Sequence, residues 1–292
     1  MGLILSICKL TCGTATYGAS KVPAEPGEAV VAPQPSEMRV RFLPGELPVV
    51  QGTVGGRPNL NILIDTGTSP AVLDTGLANS LGLSTSVATL QVFNKTIEVP
   101  GVWIPEMQLG PIRKRDVPAI VRDLSYFKRD YGLAIAAIVG LDVLEQFSFR
   151  LDYSKGRLFF GSVAAEGIAI PAGSGWPLVV VNAEMDKQKL RLLVDTGAAG
   201  LILFGKRVDT RRMLFETARR ANADNLGGRV NATAIRDVSV VVQGRRVHTE
   251  TAFLVRDNGD AMGFDGLLAI GPLGFRALSY DRESRTLYLQ QR

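Results

Sequence analysis

The stretch NILIDTGTSPAVLDTGLANSLGL, Asn61 to Leu83, carries the triplet Asp-Thr-Gly twice, at Asp65-Thr66-Gly67 and at Asp74-Thr75-Gly76. Only the first has a counterpart further along. Placing NILIDTGTSPAVLD against RLLVDTGAAGLILF sets Asp65 opposite Asp195, 130 positions on, and Asp74 opposite Phe204. Downstream, AIVGLDVLEQFSFRLDYSKGRLFF runs without a gap against GLLAIGPLGFRALSYDRESRTLYL, with Gly140 opposite Ala269 and Asp152 opposite Asp281, both 129 apart. Two anchors holding one offset to within a residue define a tandem duplication. Asp65 and Asp195 are therefore equivalent, and Asp74 stands apart.

The 292 residues, 46% of them apolar, suffice for one large or two small domains with a sizeable core. The 33 basic and 28 acidic residues leave a mild positive balance. Basic pairs such as Arg211-Arg212, Arg219-Arg220 and Arg245-Arg246 are scattered and read as solvated faces, so a nucleic-acid partner is not expected. No apolar run is long enough to span a bilayer. Both cysteines, Cys8 and Cys12, fall in the opening MGLILSICKLTCG, which leaves the body without a disulfide. The expected organisation is an apolar leader or anchor over residues 1–18, a Pro-rich linker over 19–44, and two lobes over 45–165 and 166–292. A leader and linker before a folded body favour an exported or cell-envelope protein, with the leader as a membrane tether.

Within each copy, VVQGTVGGRPNLNILID and LVVVNAEMDKQKLRLLVD give two strand-like runs around a polar turn, the second run ending on Asp-Thr-Gly. Alternating runs dominate the remainder of each copy, so the class is mainly β with a few short helices. Asp74, just before LANSLGL, suits a helix N-cap. GKRVDTRRMLFETARRAN is the best helical pattern of the second copy, through Val208, Arg211, Phe215 and Arg219. Asp152 and Asp281 each follow a strand and enter a polar stretch, which predicts hairpin turns.

If the copies pack about a pseudo-twofold axis, Asp65 and Asp195 meet on it. Two carboxylates about 3 Å apart at an effective dielectric near 20 repel by roughly 5–6 kcal/mol, splitting their titrations by about four units. Such a pair holds one proton between them, and its titration belongs to the pair. The charged member can take a proton from water while the protonated member polarises a carbonyl. No metal or other cofactor is needed for that chemistry. His248 is the only histidine and sits in the alternating run QGRRVHTETAF, where a solvated strand position is expected. The lack of any other histidine, and of cysteine in the body, argues against serine–histidine and cysteine–histidine hydrolysis.

ILIDTGTS and LLVDTGAA, each followed about 75 residues later by an apolar pair and a small residue (Ile138-Val139-Gly140 and Leu267-Leu268-Ala269), resemble the retropepsin-like aspartic proteases. The resemblance covers roughly residues 48–161 and 175–291 and implies two tandem β-barrel lobes with the acid-protease fold. It also implies an endopeptidase with Asp65 and Asp195 as the catalytic pair. Thr66 and Thr196 would cross-link the active-site loops through their hydroxyls, and Gly67 and Gly197 would donate amides near the acids. A shared proton is the known habit of that family's dyad. Flap hairpins are expected near Val92 to Val99 and Gly227 to Thr233. Three departures stand out: Ala269 in place of the usual glycine, Gly271 opposite Asp142, and Ala198 opposite Thr68.

The expected partner is a peptide or unfolded protein, and the chain should be a monomer because both lobes are its own. Two other readings stay open. One is a peptide-binding module of the same fold that does not cut, for which the altered region Ala269 to Gly271 is the only hint. The other is a two-carboxylate glycosidase, whose acids sit farther apart on unlike segments and which a symmetric repeat disfavours.

Overall fold

The computed structural model describes residues 3–5, 8–10, 35–92, 95–173, 175–209, 219–255 and 263–291. Each half is built round a pair of strands that the sequence predicts as a hairpin. Leu47–Val54 pairs antiparallel with Arg57–Ile64 in the first, and Val180–Met185 with Gln188–Asp195 in the second. From there both halves follow one course. Arg57–Ile64 lies parallel to Ala137–Val139, which runs antiparallel to Ala71–Asp74, itself parallel to Ile112–Arg122. In the second half Gln188–Asp195 lies parallel to Gly266–Ala269, antiparallel in turn to Leu201–Phe204, which is parallel to Arg245–Val255. Even the register repeats: Ile62 faces Ala137 as Leu192 faces Gly266.

These central strands are buried on both faces, which is why they read as continuous apolar runs. Ile62 and Ile64 point into the large core that spans the molecule, and Leu63 between them points into a smaller one with Leu47, Val72, Leu90 and Phe127. The result is a mainly β, two-lobed acid-protease fold with three short helices among the described residues.

A third, six-stranded sheet joins the halves. The hairpins Phe149–Asp152/Arg157–Phe160 and Phe275–Asp281/Thr286–Gln291 are the repeated DYSKGR and DRESR segments, and their inner strands pair directly, with Phe149 opposite Tyr280. Asp152 and Asp281 close the turns as expected. Asp152 accepts from the Ser154 hydroxyl and Lys155 N–H, and Asp281 from the Ser284 hydroxyl and N–H. The sheet's edges are Ser36–Arg39 and Ile168–Pro171. Ser36–Arg39 and Arg41–Leu43 thus form strands inside the stretch expected to be linker, because their alternating residues complete two sheet edges.

Both expected flaps are hairpin turns. Ser86–Val92 pairs with Lys95–Leu109, and Arg219–Asn225 with Gly228–Val242. The helix expected over Gly205 to Asn222 needs correction at its end, where Arg219 opens a strand paired with Ala234. Edge pairing there outweighs helical spacing. Val208 lies outside any helix and is buried; Arg211, Arg212 and Phe215 lie outside the described residues. His248 is exposed on Arg245–Val255, in the solvated strand position expected, with Nδ1 3.3 Å from the Ser239 hydroxyl.

Gly140 is a point of close approach: a Cβ there would lie 1.9 Å from the Thr68 carbonyl oxygen. Gly140→Ala is expected to lower stability by about 3 kcal/mol, since main chain must move to admit the methyl group. Ala269→Gly, at the equivalent place, should cost about 1 kcal/mol. Urea denaturation of the two variants measures both.

Candidate active site

Asp65 and Asp195 end equivalent strands, and each chain then turns sharply through Thr-Gly. The two turns are locked to each other. The Thr66 hydroxyl donates to the Val194 carbonyl (2.8 Å) and accepts from the Thr196 N–H (3.2 Å). Reciprocally, the Thr196 hydroxyl donates to the Ile64 carbonyl (2.8 Å) and accepts from the Thr66 N–H (3.1 Å). Four buried hydrogen bonds thus cross the pseudo-twofold axis, and every donor and acceptor in the crossing is satisfied.

Each glycine serves both acids. Gly67 N–H donates to Asp65 Oδ1 (2.8 Å) and Gly197 N–H to Asp195 Oδ1 (2.7 Å). Each is also pressed against the acid of the other lobe. A Cβ on Gly67 would stand 2.6 Å from Asp195 Oδ2, and one on Gly197 would stand 2.3 Å from the Asp65 carboxyl carbon. Glycine is therefore required at both positions for the carboxylates to come together. The six residues singled out by sequence, Asp65, Thr66, Gly67, Asp195, Thr196 and Gly197, form one buried cluster.

The cluster is not symmetric. The Thr68 hydroxyl donates to Asp65 Oδ2 (2.7 Å), whereas the equivalent residue Ala198 has no hydroxyl, and Asp195 Oδ2 is buried without a hydrogen-bond partner. Burial, followed by the charge of Asp65, pushes the Asp195 carboxyl well above the ordinary aspartate range. Asp65, with donors on both oxygens, is the member suited to carry the charge.

The decoy acid is structural. Asp74 caps the helix Thr75–Ser80, accepting from Gly76 and Leu77 N–H, and its second oxygen accepts from Leu124 N–H. Two groups near the site escaped the sequence reading. Glu46 and Tyr153, both from the first half, fill the space beside Gly271, where a Cβ would lie 2.6 Å from Glu46 Cβ and 2.7 Å from Tyr153 Cε1. Tyr153 is buried, stacked on Phe42 with ring centroids 5.2 Å apart, and its phenol is raised by burial and then by the charges of Glu46 and Asp195. Their reach across the lobes left only one trace in the sequence, the glycine opposite Asp142. Asp142 itself is buried, and desolvation raises it to about 6 against the opposing influence of the Lys114 ammonium and the Val143 N–H.

With this geometry in view, comparison with known families is informative. Residues 50–143, which include the first acid, its turn and the downstream Gly140, match the aspartyl protease family. Comparison with curated proteins finds no match. The match supports retropepsin-like character and, in general terms, aspartic protease activity.

Asp142 and Asp195 both have folded-state values above their unfolded ones, so the native state binds more protons at each. Their stabilising contribution is complete below the ordinary aspartate range and is lost as pH rises through the folded values. For Asp142 that window runs from about 4 to about 6 and amounts to ~3 kcal/mol. Asp142→Asn should flatten the stability–pH curve over that window, and Asp195→Asn should remove the decline that ionisation of Asp195 contributes above the ordinary aspartate range. Urea titrations between pH 4 and 8 test both.

Proposed function

We propose that the protein is an aspartic endopeptidase that hydrolyses peptide bonds with water activated by Asp65 and Asp195. The observation that carries this is the reciprocal Thr66/Thr196 crossing, which holds the two carboxyl groups against each other's glycine. In this reading a water molecule lies between the acids. Charged Asp65 takes its proton as the oxygen attacks the substrate carbonyl carbon, while protonated Asp195 gives a hydrogen bond and then its proton to the carbonyl oxygen. Asp65 then passes the proton it took to the amide nitrogen, Asp195 takes one back from a gem-diol hydroxyl, the C–N bond breaks to give a carboxylic acid and an amine, and the pair again holds one proton.

The absence of a hydroxyl at Ala198 supports this division of labour. A hydroxyl donor on Asp195 Oδ2 would favour its charged form and weaken it as an acid. Gly271, which hinted at a binding module that does not cut, has a packing account in Glu46 and Tyr153.

Cleavage of an unfolded-protein peptide library should fall about 10³-fold or more in kcat/KM with Asp65→Asn or with Asp195→Asn. Asp74→Ala should cost about 1 kcal/mol of stability and leave kcat/KM within about twofold. An Asp195→Asn protein that cuts like wild type would refute the assignment. Thr68→Ala deprives charged Asp65 of a donor, so its pKa rises and the acid limb of the kcat/KM–pH profile should move to higher pH.

A further inference from the structure

The two catalytic turns are equivalent, but what stands beside them is not. In the first half the short helix Leu141–Leu144 carries Asp142 in its first turn, and the buried Asp142 Oδ1 lies 3.1 Å from where a Cβ on Gly140 would be. The equivalent residue of the second half is Gly271, two positions past Ala269, which is in register with Asp195. A carboxyl is there all the same. It belongs to Glu46, from the turn between Arg41–Leu43 and Leu47–Val54, and its buried Oε2 lies 2.8 Å from where a Cβ on Gly271 would be. The turn is shaped for this reach. Gly45 and Glu46 both take up left-handed backbone, with φ of 84° and 54°, and a Cβ on Gly45 would lie 2.7 Å from Ala199 Cβ in the second catalytic turn. Glutamate rarely enters that region, so its surroundings hold it there.

We propose that Glu46 is a positioning residue for the second acid: the first half supplies to the second the carboxyl that Gly271 lacks, and its negative charge keeps Asp195 in the protonated form that polarises the substrate carbonyl. The inference rests on the proposed reading of Asp65 and Asp195 as a peptide-cleaving pair. Tyr153 shares the space beside Gly271 with Glu46, stacked on Phe42 and fixed by its own N–H, which donates to the Arg276 carbonyl (2.9 Å). Its phenol is raised by burial and then by the charges of Glu46, Asp195 and Asp65, in that order, so Glu46 and Tyr153 lie on the Asp195 side of the dyad. The buried ring keeps water from this space, and a charge there acts more strongly than one at the surface. The titratable groups facing Asp195 are thus Asp65 across the axis and, beside Gly271, Glu46 with the neutral Tyr153; both carboxylates oppose its ionisation. Thr68 favours charge on Asp65 while Glu46 opposes charge on Asp195, and the two asymmetries act in the same sense.

The test uses two variants of the full chain: Glu46→Gln keeps the shape of the side chain and removes its charge, and Glu46→Asp keeps the charge. Losing the charge makes Asp195 easier to ionise. The basic limb of the kcat/KM–pH profile on the peptide library should therefore move to lower pH by about one unit in Glu46→Gln, with kcat/KM above the limb falling about tenfold. Glu46→Asp should keep the wild-type limb. In parallel, NMR of protein labelled with carbon-13 at the aspartate carboxyl groups follows the pair without any need for cleavage, the Asp195 signal being the one absent from Asp195→Asn. The upper titration step of the pair, read at that carboxyl, should come at lower pH in Glu46→Gln than in wild type or Glu46→Asp. An unmoved Asp195 titration in Glu46→Gln would overturn the inference, as would a loss of activity spread evenly over pH with the limb in place, which is the mark of packing alone. If wild type cuts nothing in the library, the endopeptidase reading fails, and the titration still decides whether Glu46 governs Asp195.

Discussion

The crossing of Thr66 and Thr196 is the interaction on which the molecule depends. Burying two carboxyl groups side by side is costly, and the lobes that carry them would be driven apart if nothing held their turns. Each threonine hydroxyl spends its one proton on a carbonyl of the opposite lobe and its lone pair on the opposite amide. A serine hydroxyl could make the same two bonds but lacks the methyl group that restricts rotation, and valine lacks the hydroxyl. The strands behind the turns are rigid because both their faces are packed, so the position of the acids is set by main chain rather than by side-chain freedom.

Against that symmetric frame, the departures from symmetry fall at a few equivalent pairs beside the acids. Thr68 and Ala198 decide which carboxyl has a second donor. Gly140 and Ala269 decide how closely the following turn can approach the neighbouring strand, since the Thr68 carbonyl rests where a methyl group would be. Asp142 and Gly271 exchange a buried carboxyl from within one lobe for Glu46 and Tyr153 reaching across from the other. A duplicated unit has in this way acquired two chemically different halves without a change of topology.

Much of this was legible in the sequence for physical reasons. The offset of 130 between Asp65 and Asp195 identified the equivalent acids, and the lack of an equivalent for Asp74 marked it as a helix cap, which its hydrogen bonds to Gly76 and Leu77 show it to be. Alternation and turn residues located the hairpins before each acid, and the family resemblance pointed to the strand pairs at Ser86–Val92 and Arg219–Asn225. What stayed hidden depends on contacts between residues remote in sequence. The pairing of Phe149 with Tyr280 and the filling of Gly271 by Tyr153 leave no local pattern. Arg219 shows the opposite failure: helical spacing was present, and an available sheet edge overrode it. The strand at Ser36–Arg39 was concealed by the prolines before it.

The shared sheet has a bearing on how the protein comes into being. Phe149–Asp152 is flanked on one side by its own hairpin partner and on the other by Phe275–Asp281, which is made after it. Until the second half leaves the ribosome, the earlier half has an open strand edge, and Thr66 has no counterpart to bond. A nascent chain therefore carries Asp65 without Asp195 until the second half has been made. Because that partner strand follows Asp195 in the chain, the meeting of the two acids waits on the synthesis of the second half, and the order in which the parts are made decides when the buried pair can form.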